Sequence, residues 1–188
     1  MDRRKVRTIK SIRDAFAKLL NVKRYSDITV QDILDEANVG RSTFYEHFKT
    51  KDELLHAVCD EIFAHVFDHN LTPEKHHDFS HTDDYEHVVT HMFYHFSEDK
   101  DVLKGILRSE GKDIFIADLR THLQELVRDY ILKVYACDRF DQGLLEDHLI
   151  NTLTSLVLWW LNRDCHEPPE EVAKTYFGLI IPVLSHKE

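Results

Sequence analysis

Residues Val39–Leu55 read VGRSTFYEHFKTKDELL, and this stretch decides the fold. Phe44 and Phe48 stand one helical turn apart and mark the inward face of a short helix, Arg41–Phe48. Tyr45 is rotated about 100° from Phe44 and faces outward. Asn38-Val39-Gly40 before it is a tight turn, with a glycine that can take a positive φ. Further back, Thr29 precedes Asp32 by three positions, the spacing of a capping box. It opens a short helix with Val30, Ile33, Leu34 and Ala37 on its inner face. On the far side, Thr50 and Glu53 form a second box that opens a long fourth helix. Val6, Ile9, Ile12, Phe16, Leu19 and Leu20 give a first amphipathic helix over about Arg3–Asn21. Two short helices across a three-residue turn, braced by a packing helix, make a helix-turn-helix unit. In such units the second helix enters the DNA major groove and the first lies across the backbone. Arg41–Phe48 is then the groove helix.

The bulk composition allows this. The 188 residues suit one domain, or a small domain fused to a larger one. With 43% hydrophobic residues, 5 Gly and 4 Pro, the chain can bury a real core. The formal net charge is −10, but it is unevenly spread. Residues 1–52 hold twelve Lys and Arg against eight Asp and Glu; the remainder holds twelve against twenty-six. A basic head on an acidic body fits local attraction to a polyanion, because screening confines that attraction to about a Debye length. The three cysteines, Cys59, Cys137 and Cys165, are widely spaced and imply a reduced, cytoplasmic protein. No apolar run suits a membrane span, and the N-terminus has no signal-peptide core, so no membrane partner is expected.

Within the head, Lys49 and Lys51 flank the start of the fourth helix. Backbone N–H groups there already attract anions, so the pair predicts a phosphate clamp. The bland alternative is two solvated lysines. Thr29 is a cap whose hydroxyl or helix terminus can also meet phosphate. Arg41, Ser42, Thr43 and Glu46 are the candidate base readers, since Arg pairs with guanine and Glu accepts from cytosine. Arg3, Arg4 and Lys5 are either a basic arm or a frayed end.

The rest of the chain reads as helices near 83–97, 98–108, 112–136, 142–163 and 169–184, with 71–84 the clearest loop. His87, His91 and His95 recur every four residues, but the apolar stripe of that helix favours a solvated face over a metal site. His65 and His69 fall inside the apolar arc of the fourth helix and need partners: neighbouring helices, an organic ligand or a metal. Phe63, Phe93, Phe96, Tyr130 and Trp159 are candidate walls of an effector pocket, although aromatic residues at helical spacing are more often core. LTSLVLWWL (153–161) and FGLIIPVL (177–184) are apolar nearly all round. Leu153, Leu156, Val157, Trp160, Phe177, Ile180, Ile181 and Leu184 therefore predict a helix-pair dimer interface, with deep burial in one chain as the alternative.

The residues Thr29, Val30, Ile33, Ala37, Val39, Thr43-Phe44-Tyr45, His47-Phe48, Lys51 and Leu54-Leu55 resemble the tetracycline-repressor (TetR) family of bacterial transcription regulators. The Tyr-x-His-Phe element is specific, and the likeness covers about residues 5–65. The segment WWLNRDCHEPPEEVAKTYF looks like the C-terminal part of Gram-positive members. The resemblance implies phosphate contacts for Tyr45 and His47, and a four-helix interface in a homodimer.

Together these observations predict an all-α protein of about nine helices. A helix-turn-helix DNA-binding head over residues 1–50 precedes a helical effector-binding and dimerisation domain over 51–188. The expected function is a ligand-responsive dimeric regulator, a repressor released by a small-molecule effector from near-palindromic double-stranded DNA. Two alternatives remain: a partner-binding regulator of the same fold, and a metal-responsive regulator using His65 and His69. No enzymatic loop, nucleophile elbow or H-E-x-x-H pattern is present, and no cofactor is expected.

Overall fold

The computed structural model describes residues 3–66, 85–108, 110–135 and 139–184. Among the described residues there are nine α-helices and no strand, as expected. They are α1 (Arg3–Val22), α2 (Val30–Ala37), α3 (Arg41–His47), α4 (Lys51–Val66), α5 (Tyr85–Glu98), α6 (Lys100–Leu107), α7 (Lys112–Leu126), α8 (Gln142–Asn162) and α9 (Pro169–Leu184). A single 3-10 turn, Tyr25–Asp27, joins α1 to α2, and α7 runs on into a π-helical turn, Val127–Leu132. The loop expected over 71–84 lies outside the described residues.

The chain forms two compact units. The first comprises residues 1–62 and 101–118, the second 63–100 and 119–188. The head therefore extends past residue 50: α4 belongs to it as far as Ile62, and α6 with the start of α7 joins it. The reason is apolar burial. Leu54, Leu55 and Val58 of α4, Leu103 and Ile106 of α6, and Phe115 of α7 are all buried. So are Ile12, Phe16, Leu19 and Leu20 of α1, and Ile33 and Leu34 of α2. A short three-helix head buries little on its own, and the extra helices enlarge its core. Where α6 crosses α1, a Cβ built on Gly105 would lie 2.3 Å from the Leu20 carbonyl oxygen, so only glycine permits this approach.

In the second unit α9 packs on α5 and α8. Phe93, Phe96, Leu149, Leu153, Val157, Trp160, Tyr176 and Ile180 are its buried centre. The Phe93 and Trp160 rings meet edge to face at 5.2 Å. Trp160 donates its indole N–H to the Glu167 carbonyl at 2.8 Å, and the Tyr176 hydroxyl donates to the Leu149 carbonyl at 3.3 Å. These positions correct the interface expected from sequence. Leu153, Val157, Trp160, Phe177, Ile180 and Leu184 are buried within one chain. Only Leu156 and Ile181 of that set stay partly exposed. Trp159, expected on a pocket wall, is instead 45% exposed, and Leu179 is 56% exposed. The two tryptophans thus exchange roles: Trp160 is core and Trp159 is surface.

Trp160→Ala should therefore cost about 3–5 kcal/mol by cavity formation, whereas Trp159→Ala should change the stability of a single chain by under about 1 kcal/mol. Chemical denaturation at protein concentrations low enough to hold one chain apart from another checks this. Equal losses would place Trp159 back in the core.

Candidate nucleic-acid interface

The α2–turn–α3 segment is built from its caps inward. Thr29 caps α2: its hydroxyl oxygen accepts from Asp32 N–H at 3.1 Å, and Asp32 accepts from Thr29 N–H at 2.8 Å. Lys23 pairs with the same carboxylate at 2.8 Å. That side-chain bond, then the Thr29 bonds, lower the Asp32 pKa to about 2. Because the folded pKa is depressed, the box contributes its full stability above the ordinary carboxylate range and loses it as pH falls towards about 2. α2 ends on Asn38 at φ 53°, ψ 47°. The left-handed residue of the turn is thus Asn38, not Gly40, which sits at φ −76° as the N-cap of α3. Asparagine tolerates this conformation because its short amide can bond locally.

α3 then presents two faces. Phe44 is fully buried and Phe48 is 5% exposed, their rings 5.9 Å apart. Tyr45 is 48% exposed, and Arg41, Ser42 and Glu46 are exposed beside it. Thr43 and His47 are half-buried. Tyr45 thus faces outward as its rotation from Phe44 predicts, and of the four candidate base readers Arg41, Ser42 and Glu46 are exposed while Thr43 is not. One residue on this surface escaped sequence reasoning. Gln31 of α2 accepts from the Arg41 guanidinium at 3.0 Å and donates to Asp35 at 2.9 Å. Neither period nor motif marks it; only the α2–α3 crossing brings it to Arg41.

Lys49 is exposed at the start of α4. Its backbone N–H donates to Glu53 at 2.7 Å, and the Glu53 N–H donates to the Thr50 hydroxyl at 3.0 Å. Lys51 behaves differently. Its ammonium donates to the Ile28 carbonyl at 2.9 Å and to the Tyr25 carbonyl, and it lies 4.1 Å from the centre of the Tyr25 ring. The Tyr25 hydroxyl donates to Asp52. Burial first, and then Asp52, push the Tyr25 pKa well above its ordinary value. Lys51 and Asp52 therefore grip the 3-10 turn that precedes α2. Sequence reading placed the Lys51 charge on the phosphate clamp; its bonds run into the protein.

The candidate effector residues separate in the structure. Phe63, Phe93 and Phe96 are fully buried; Phe63 packs 6.1 Å from Phe96 and 4.8 Å from His122. His122 is an imidazole in this cluster that the sequence reading missed. Tyr130 is half-buried in the π-helical turn. Trp159 stacks under Arg163 at 5.0 Å on the surface. His69 and the side chain of His65 lie outside the described residues. His91 and His95 are not on a solvated face: they are 4% and 2% exposed. Their Nε2 atoms are 2.8 Å apart, and His95 Nδ1 lies 3.2 Å from Glu98. Only His87 is exposed as expected. Among the described residues no group of three or more His, Cys, Asp or Glu side chains is placed to hold a metal ion. Burial pushes the Cys59 thiol up to about 12, which leaves it unreactive.

Comparison with known proteins now bears on this geometry. The family described as "Bacterial regulatory proteins, tetR family" matches residues 12–58. A second TetR family, "Transcriptional regulator C-terminal region", matches residues 83–182. The chain belongs to the TetR family of bacterial transcriptional regulators. It is 26% identical over 96% of its length to the uncharacterised helix-turn-helix regulator YxbF of Bacillus subtilis, of which it covers 46%. It is 36% identical over 34% of its length to DhaS, the dhaKLM operon activator of Lactococcus lactis, covering 34% of that protein. The chain thus spans less than half the length of YxbF, and its match to DhaS is confined to about a third of either protein. It is 22% identical to IcaR, the negative regulator of the biofilm operon icaADBC of Staphylococcus epidermidis, over 77% of each chain. Among solved structures, a TetR regulator from Streptococcus agalactiae superposes with a TM-score of 0.77 at 29% identity, covering 95% of this chain and 96% of that one.

Two substitutions test the local reading. Asn38→Ala should cost about 1–2 kcal/mol, the strain of a left-handed alanine, while Asn38→Gly should be close to neutral. Lys51→Ala should cost about 1–3 kcal/mol through its two carbonyl bonds and the ring contact. Thermal unfolding of the three variants measures both; an unaltered midpoint for Lys51→Ala would return its charge to the solvent-facing clamp.

Proposed function

We propose that the protein is a homodimeric DNA-binding transcriptional regulator, a repressor that a small-molecule effector releases from its operator. The exposed face of α3 carries this reading: Arg41, Ser42, Tyr45 and Glu46 stand outward over a helix whose Phe44 and Phe48 are buried. Arg41 and Glu46 can meet base edges, and Tyr45, His47, Lys49 and the Thr29 cap can meet phosphates. Repression is favoured because IcaR is a negative regulator, and NalD of Pseudomonas aeruginosa and SmeT of Stenotrophomonas maltophilia are repressors of multidrug efflux pumps. Such a protein acts on chromosomal DNA and works in the cytoplasm, without an enzymatic step.

The dimer would form on the face of α8 and α9 that the single chain leaves uncovered. Leu156, Trp159 and Leu179 surround a shallow cleft of about 540 Å³ there. Ser155 and Thr175 line the same cleft, and their small side chains would let a partner helix approach. Two-fold symmetry then requires a near-palindromic site. The effector would enter the second unit at the Phe63, Phe96 and His122 cluster, where rings supply apolar surface and the imidazole a polar anchor. A ligand that binds one dimer conformation a few kcal/mol more tightly suffices to shift the population away from the operator-bound form.

Fluorescence anisotropy on DNA upstream of the protein's own gene, against scrambled DNA, tests the reading. Tyr45→Phe should weaken binding to all sequences by about threefold to tenfold, the worth of one hydrogen bond. Arg41→Ala should relax preference at one base pair by about 1–3 kcal/mol. Leu179→Glu should yield monomers in sedimentation and abolish tight specific binding. Equal binding to both DNAs at every salt concentration would remove the sequence-specific role, and a dimeric Leu179→Glu variant would remove the proposed interface.

A further inference from the structure

We propose that the groove between the end of α1 and α6 binds a small anion bearing phosphate or carboxylate groups. The crossing at Gly105 brings the two backbones together, and beside it opens a groove of about 730 Å³. That volume suits a small organic molecule. Lys23 and Arg24 line one wall, directly after α1; Lys104 and Arg108, one turn apart on α6 and its continuation, line the other. Among the described residues Asp101 alone is acidic in the lining.

The local charge is opposite to that of the whole chain. Lys23 is engaged with Asp32 at 2.8 Å, and Asp101 adds one negative charge to the lining. The C-termini of α1 and α6 contribute about half a negative charge each. The four cations of the lining outnumber its one acidic residue among the described residues, in a chain whose formal net charge is −10. Cations gathered across a gap repel one another, and an anion between them relieves that repulsion. Arg24 and Arg108 are exposed and offer planar forks that bind the paired oxygens of phosphate or carboxylate. The recess between two helices favours a small molecule over a duplex, whose phosphates run along an extended line. This site lies in the unit that carries α3, and it is separate from the aromatic cluster of the second unit.

Isothermal titration calorimetry with inorganic pyrophosphate at low salt tests the proposal without any operator DNA, so its outcome is independent of the DNA-binding reading. The wild-type protein should bind one pyrophosphate per chain. The double variant K104A/R108A should bind about tenfold more weakly or worse. K133A/R139A removes the same two residue types from exposed positions in the other unit and should leave affinity unchanged. Arg108→Lys, which keeps the charge but loses the fork, should give an intermediate loss, and circular dichroism of each variant confirms its fold. Three results would overturn the proposal: no saturable binding by the wild type, equal weakening in both double variants, or displacement of pyrophosphate by scrambled duplex DNA. The last would assign these cations to the DNA backbone.

Discussion

The structure of the reading head depends on the burial of Phe44 and Phe48. α3 is only seven residues long, and a helix that short is not stable in water by its own hydrogen bonds. It forms because Phe44 is fully removed from solvent and Phe48 nearly so. Each ring takes roughly 150–250 Å² out of water, worth about 4–6 kcal/mol as an upper estimate. Two anchors one turn apart also fix the rotation of the helix about its axis. Once that rotation is set, Ser42 and Glu46 must face outward and Tyr45 stands at the edge of that face, while Arg41 is exposed at the first turn of the helix. Presentation of this exposed face is a consequence of core packing.

The connection from α1 to α2 shows how a charge is assigned by geometry. A lysine at a helix start near other cations reads naturally as a phosphate ligand. Here the ammonium of Lys51 meets two carbonyls and an aromatic face, all belonging to the turn at Tyr25. The Tyr25 carbonyl already accepts the Ile28 N–H at 3.2 Å, and the lysine adds a charged donor to it and to the Ile28 carbonyl. Asp52, the next residue, receives the Tyr25 hydroxyl. The start of α4 thus holds the entry to α2 from two sides. A cation held this way shapes the surface on which Lys49 and Thr29 sit, whatever it adds to the field around them.

The head was legible in the sequence because each of its elements announces itself locally. Thr29 with Asp32, the Phe44–Phe48 spacing and the Thr50 cap all act over three or four residues, although the Glu53 carboxylate of the expected second box takes the Lys49 N–H. The left-handed position was misplaced by two, since glycine is the usual occupant and asparagine a second choice; the chain uses Asn38. The second unit was legible as helices but not as faces. α5 buries Val89, Met92, Phe93 and Phe96, and His91 and His95 with them. A helix packed on more than one side has no single apolar stripe, so a wheel drawn from its aliphatic residues leaves its buried histidines on the wrong side. The same limit applied to 153–161 of α8 and 177–184 of α9, which are apolar nearly all round. Periodicity cannot say which of two apolar faces meets the helix's own chain.

What does decide between those faces is a polar detail at the end of α8. An indole buried in a core must place its N–H on an acceptor. Trp160 finds one in the Glu167 carbonyl, which is within reach because the chain turns back sharply through Asp164 and Cys165, both with positive φ. The Cys165 N–H closes that turn on the Trp160 carbonyl at 3.1 Å. The turn leads directly into Pro169 and α9, so the bond that buries Trp160 also sets how α9 returns along α8. With Trp160 inward against Phe93, its neighbour Trp159 is carried about 100° round the helix. It emerges on the side where Leu179 of α9 is exposed. The outer apolar surface of the second unit is thus a geometric result of satisfying one indole N–H.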